Sequence, residues 1–258
     1  MNVEGTLESQ RVRQAIREGR ITGTSRGLAP GFVQCNVAIM PKIHAFDFML
    51  YCQRNQRACP VLEVLDPGDP VPRKLAPSAD VRTDCALYSV FIDGERQQDR
   101  NDVKDLWRDD LVTFLIGSGI TFDAALERAG VPTGRDRWVV RTALPTEPAG
   151  PFRGDLIATM RWLTPQQAIT AVQVTTRFPF NHGAPIHIGD PSAIRVDLEF
   201  PLFGGPVPPL PRDKTAVFWA CGVTPQSAAE NARLPLFIAH AAAHSFITDL
   251  PADSLMTA

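Results

Sequence analysis

Apolar and polar positions follow two rhythms along this chain. In "ESQRVRQAIREGR", Val12 and Ile16 recur four apart with Gly19 just beyond, which predicts a first helix. "GFVQCNVAIMP" is a nearly unbroken apolar run that stops at Pro41, the mark of a buried strand. "KIHAFDFMLYCQRNQ" then returns to helical spacing at Ile43, Phe46, Leu50 and Gln53, and "CPVLEVLDPGDP" supplies a short strand and a sharp turn. Helix, strand, helix, strand implies helices packed on a sheet.

The next portion changes character. "LYSVFIDGERQQ" alternates about Asp-Gly as a β-hairpin does. "NDVKDLWRDDLVTFLIG" reads as a helix, with Leu106, Trp107, Asp110, Leu111, Phe114 and Leu115 mainly on one face. "TFDAALERAG" reads as a second helix, capped by Thr121 and ended by Gly130. Strands are expected near 136–142 and 154–162. "LTPQQAITAVQVTTRF" has Thr164 as N-cap and Pro165 at the first helical position, and "TPQSAAENA" repeats that start between the buried strands "TAVFWACG" and "LPLFIAH". The pattern predicts a mixed α/β fold. It divides into a main domain over 1–65 and 164–258 and an inserted α+β subdomain over 66–163.

Composition narrows the partners. The chain has 258 residues, 44% of them apolar and 21% charged, with a formal net charge of −2. That gives no general attraction to phosphate backbones or anionic lipid, so neither nucleic acid nor a membrane is expected. The opening residues lack the apolar stretch of a signal peptide, and a cytoplasmic protein is expected. Cysteines 35, 52, 59, 85 and 221 are scattered and odd in number, which predicts free thiols rather than a disulfide framework. Prolines number 23, implying many fixed turns. The P-x-x-P spacings of "PLFGGPVPPLP" are read as a stiff surface loop.

Candidate chemistry lies first in the histidines. Four of five fall in two short clusters, His182 and His187 in "HGAPIHIGDP" and His240 and His244 in "AHAAAHSFITD". Imidazole changes charge near neutrality and serves as acid, base or metal ligand. A divalent metal is therefore one option at these residues, although the glutamate of H-E-x-x-H is missing. Arginines in apolar or β-like settings, Arg82 in "VRTD" and Arg141 in "VVRTA", suit a carboxylate ligand, since guanidinium binds carboxylate through two parallel hydrogen bonds. Gln34 and Asn36, two apart in a buried strand, share a face and need partners. Cys221 stands where a strand turns into a helix start, a place that offers backbone N–H groups to an anion. No G-x-G-x-x-G, P-loop or G-x-S-x-G element occurs, so no nucleotide cofactor is expected.

Several segments together carry a resemblance: "PGFVQCNVAIMPKIHAFDFMLYCQRNQRACPVLEV", "DVRTD", "LWRDDLVTFLIG", "RFPFNHGAPIHIGDP", "VFWACGVTPQ" and "FIAHAAAHSFITD". In that order, from about Gly27 to Asp249, they resemble the hydro-lyase family that includes D-glutamate cyclase-like proteins. The resemblance implies a layered α/β/α main domain with a smaller two-layer part. It also implies a carbon–oxygen lyase acting on a small amino or hydroxy acid, with the loss of water from D-glutamate to give 5-oxo-D-proline as the named activity. Ser118 stands where the family usually has cysteine, and Ala239 to Ser245 depart from its usual Thr-His-Ala-Pro-Gly-His-Met. On this reading the catalytic residues are His182, His187, His240, His244 and Cys221. Arg82, Asp84, Arg141, Gln34 and Asn36 bind a small carboxylate or amino-acid substrate, and a homo-oligomer is compatible with the chain. Two other readings stay open: a binding protein for small acids without turnover, and a metal-dependent hydrolase.

Overall fold

The computed structural model describes residues 3–134 and 136–257. Helix α1 (Val3–Arg17) leads to β1 (Phe32–Pro41), whose ten residues are all buried, and α2 (Lys42–Arg54) follows at once. β2 (Val61–Val64), β3 (Tyr88–Ile92), β4 (Glu95–Arg96) and β5 (Leu111–Gly117) come next. After α3 (Asp123–Arg128) the chain forms β6 (Arg137–Pro145), β7 (Asp155–Leu163) and α4 (Pro165–Thr176). It ends with β8 (His187–Ile188), β9 (Thr215–Ala220), α5 (Val223–Asn231), β10 (Phe237–His240) and β11 (Phe246–Pro251). The fold is mixed α/β.

The strands make two antiparallel sheets. The first runs β2-β5-β1-β10-β3-β4, with β11 also paired to β1; the second runs β6-β7-β9-β8. Strands of segment 66–163 enter both sheets, so the sheets divide the chain differently from the two expected domains. Odd-numbered residues of β1 (Val33, Cys35, Val37, Ile39) pack into one core with Leu115 and Ile238, and even-numbered Ala38 and Met40 pack into another with Phe48, Tyr51 and Phe114. Gln34 and Asn36 continue that even-numbered face toward its polar end.

Most local expectations match, and α4 starts with the full reciprocal cap between Thr164 and Gln167. Three differ. The helix expected over 101–117 is instead a short turn at Lys104–Leu106 followed by the central strand β5. All seven residues of β5 are buried, alternating between the two cores, and a short apolar run covered on both faces carries no period that separates strand from helix. In α2, Ile43 and Phe46 are exposed, and Phe48, Tyr51 and Cys52 are buried. Thr121 does not cap α3: its hydroxyl accepts from Gln34 N at 3.0 Å, and Ser118 caps the turn that precedes the helix.

β10 and β11 share one edge of β1. β10 pairs with Ala38 and Ile39, β11 pairs with residues 32–35, and the chain leaves the sheet between them at Ala241–Ser245. The middle of β1, at Asn36, thus faces a break in the sheet.

Candidate functional site

The break opens into a cavity of about 290 Å³ between the two sheets. Asn36, His240 and Ser245 enter it from the first sheet, Arg137, Thr159 and Arg161 from β6 and β7. Trp219 and Cys221 line it at the end of β9, with Gly222 and Val223 at the start of α5, where the first helical N–H groups lack intrahelical partners. That volume lies at the small end of ligand pockets, which span roughly 300–1,000 Å³, and has room for a small acid.

Local geometry explains each placement. On the second sheet the register sets Arg137 opposite Arg161 and Thr159 opposite Val139 and Trp219, so alternate residues of three strands form one lining face. The intervening residues Trp138, Met160, Trp162 and Phe218 fill the core behind it. His182 follows the turn at Pro179–Asn181, with φ of 77°. That turn lies so close to the end of β5 that a Cβ on Gly117 would sit 1.8 Å from Phe180 O. Asn181 fastens it by donating to Ser118 O at 3.2 Å and Thr121 Oγ1 at 3.0 Å.

The two histidines in the cavity differ. His182 Nδ1 lies 2.9 Å from Arg57 O, so this nitrogen carries the proton and Nε2 keeps its lone pair. Burial pulls the His182 pKa down to about 4, leaving a neutral ring at pH 7. His240 faces two acceptors, Ala241 O at 2.7 Å from Nδ1 and Asn36 Oδ1 at 2.9 Å from Nε2. The Asn36 amide is oriented by its other end, which donates to Gly117 O at 3.0 Å. A neutral ring can donate to only one of two acceptors, whereas the imidazolium satisfies both. Burial nevertheless brings His240 down to about 4. Gly222 packs against this pair: a Cβ there would lie 2.1 Å from Asn36 Nδ2.

A positive group lines the opposite wall. Arg137 and Arg161 each place Nη2 on Asp123 Oδ1, at 2.5 and 2.6 Å, and Arg26 stands nearby. Burial raises the Asp123 carboxyl to about 6 against the pull of Arg137 and Arg26, so it is ionised at neutral pH. Burial, and then Arg137, pulls Arg26 down.

Of the residues singled out in the sequence, His182, His240, Cys221 and Asn36 line the cavity. The other two histidines do not: His187 Nε2 bonds Asp190 O at 2.9 Å, and His244 Nδ1 bonds Ala242 O at 2.8 Å. Gln34 lines a neighbouring hollow and holds the 25–28 loop by donating to Ser25 O and Leu28 O. Arg82 is paired with Asp80 at 2.8 Å, away from the cavity. Asp84 is buried and joins α1 through Arg17 at 2.7 Å. Arg141 lies four residues along β6 from Arg137, on the same face but exposed and outside the cavity. The sequence signal for Arg137 and Arg161 was an arginine inside an alternating or apolar strand, the criterion that picked Arg141; which arginine reaches the site depends on cross-strand register. Asp123 carried no signal beyond its place in the first turn of a helix.

Among the described residues no group of three or more His, Cys, Asp or Glu side chains is arranged to hold a metal ion, and no helix is long and apolar enough to cross a membrane.

The sequence profile of the D-glutamate cyclase family matches residues 112–249, more than half of the chain. A protein of Bacillus licheniformis named "putative hydro-lyase" is 46% identical over 250 residues, covering 95% of each chain. Proteins of the same name from Afipia carboxidovorans and Bordetella petrii are 47% and 48% identical, covering 95% and 93% of this chain and 92% and 93% of their own. With the profile covering more than half of the chain and these relatives matching nearly all of it, the chain belongs to the D-glutamate cyclase family.

Proposed function

We propose that this cavity is the active site of a hydro-lyase that removes water from D-glutamate to give 5-oxo-D-proline. The observation that carries the reading is the pairing, in one cavity, of a neutral histidine with a free ring nitrogen and an arginine wall able to hold an anion. The family and the names of the relatives support the reaction class.

In the reaction the amine nitrogen attacks the side-chain carboxyl carbon, a C–N bond forms and a C–O bond breaks. The substrate ammonium gives up two protons and the departing oxygen gains two, so the reaction is neutral in protons. His182 Nε2 is suited to carry them: it takes a proton from the ammonium to free the attacking lone pair and returns it to the leaving oxygen. The N–H groups at the start of α5, beside Cys221, would stabilise the oxyanion of the tetrahedral intermediate. His240, held by Asn36, gains a second satisfied hydrogen bond when protonated, which favours a proton in transit at that end of the cavity.

Proton NMR of D-glutamate incubated with the protein tests the reading. The expected result is loss of the open-chain resonances and appearance of 5-oxoproline with the D isomer and much less with the L isomer. No conversion of either isomer would overturn it.

A further inference from the structure

Arg137 and Arg161 are both buried, with side-chain exposures of 6% and 2%. Each spends one Nη2 on the same Asp123 oxygen. Three of their remaining nitrogens, Arg137 Nε and Arg161 Nε and Nη1, are buried with no hydrogen-bond partner. Native interiors seldom leave charged donors unpaired, because burying an unsatisfied N–H costs its full desolvation. Guanidinium only donates, so what these nitrogens lack is an acceptor. Arg26, Arg137 and Arg161 gather around Asp123, with Glu127 near enough to act on that carboxyl, and the acceptor that the unpaired guanidinium nitrogens lack is best supplied by an anion. Trp219 backs the site, its ring 5.6 Å from the Arg161 guanidinium carbon, which fixes the plane of the fork.

We propose that Arg161 and Arg137, positioned by Asp123, form the subsite for the non-reacting α-carboxylate of the substrate, and thereby select molecules that carry that carboxylate over analogues in which it is absent or amidated. The identity of the bound group as the second carboxylate rests on the hydro-lyase reading; the anion site itself stands on the unpaired donors. The reacting carboxyl belongs at the other end. Its leaving oxygen must be protonated, and a guanidinium clamp favours the carboxylate anion and so opposes that step. The row formed by Thr159 and Trp219 lies two residues from the arginine row, about 7 Å along the strands, and leads toward Cys221, Gly222 and His240. A five-carbon diacid bridges that interval.

The test uses glutarate, a dianion with no amine to cyclise, and glutaramide, its uncharged diamide of the same length, in titration calorimetry with the whole protein. The parent should bind glutarate at least tenfold more tightly than glutaramide. Arg161→Gln should weaken glutarate binding by roughly tenfold to a hundredfold. Arg161→Lys should fall between, keeping the charge without the fork, and Arg141→Gln, outside the cavity, should match the parent. Equal affinity of the parent for glutarate and glutaramide, or no binding of either, overturns the proposal without recourse to any variant. Parent-like glutarate binding in both Arg161 variants overturns it as well. Failure of D-glutamate turnover with these glutarate affinities intact would overturn the hydro-lyase reading and leave the anion subsite standing.

Discussion

Asn36 Oδ1 lies 2.9 Å from His240 Nε2, a side-chain bridge between neighbouring strands at the point where the sheet edge is interrupted. An amide oxygen accepts without adding charge, so His240 stays neutral at rest under the dominance of burial. Asn36→Asp places a carboxylate against the same nitrogen. The His240 pKa should rise from about 4 into or above the neutral range, read by NMR titration of the imidazole resonances. Turnover at pH 7 should fall as the charged ring is locked in place. An unshifted His240 titration would show that the bridge does not govern its protonation.

His182 and His187 are five apart in sequence and differ in place: one lines the cavity, the other bonds Asp190 O outside it. His182→Asn tolerates the left-handed backbone at this position but removes the proton carrier, and kcat should drop by a hundredfold or more. Because His182 is buried and bonded to Arg57 O, some stability goes with it. His187→Gln should keep kcat within about twofold of the parent in a steady-state assay, well inside the effect expected of an acid–base residue. Equal losses in the two variants would contradict the assignment.

Stability should fall on acidification. His182 and His240 have folded pKa values near 4 against an ordinary 6.5, so the unfolded chain binds protons that the native one refuses, and their contribution is complete above pH 6.5 and lost toward pH 4. Asp123, raised to about 6, acts in the opposite sense between its ordinary 3.8 and that value, because there the native state binds the extra proton. Two histidines outweigh one carboxyl, and the net loss from pH 7 to pH 5 is about 2–3 kcal/mol. Urea unfolding at the two pH values, with the midpoint lower at pH 5, checks this. A midpoint that stays or rises would mean that the two rings are not held neutral by burial.

All five cysteines are free, and four of them are buried. The melting temperature should therefore be the same with and without reductant, within about a degree. A fall of several degrees on reduction would reveal a disulfide that stabilises the native state.

The sequence by itself determined the elements whose signals are local. Thr164 and Pro165 start α4 because a hydroxyl cap and a proline without an N–H satisfy a helix N-terminus wherever it lies. The Asp-Gly turn set the hairpin of β3 and β4, and the alternation of Gln34 and Asn36 with buried apolar residues put both on one face of β1. Segment resemblance reached the family, and clustering, a strand-end position and two-residue spacing in a buried strand marked His182 and His240, Cys221 and Asn36. Tertiary structure decided what depends on pairing between distant segments. β5 is a strand because two cores cover it, a fact that its own apolar run cannot express. Arg137 rather than Arg141 meets Arg161 and the cavity because the β6–β7 register sets them opposite each other, and a shift along the strand exchanges one arginine for another of identical chemistry. Arg82 and Asp84 went to structural ion pairs because α1 and Asp80 reached them first in space. Side-chain type limits what a residue can do. Which anion, proton or partner it meets is fixed only when separate strands come into register, whether β6 with β7 at Arg137 and Arg161 or β1 with β10 at Asn36 and His240.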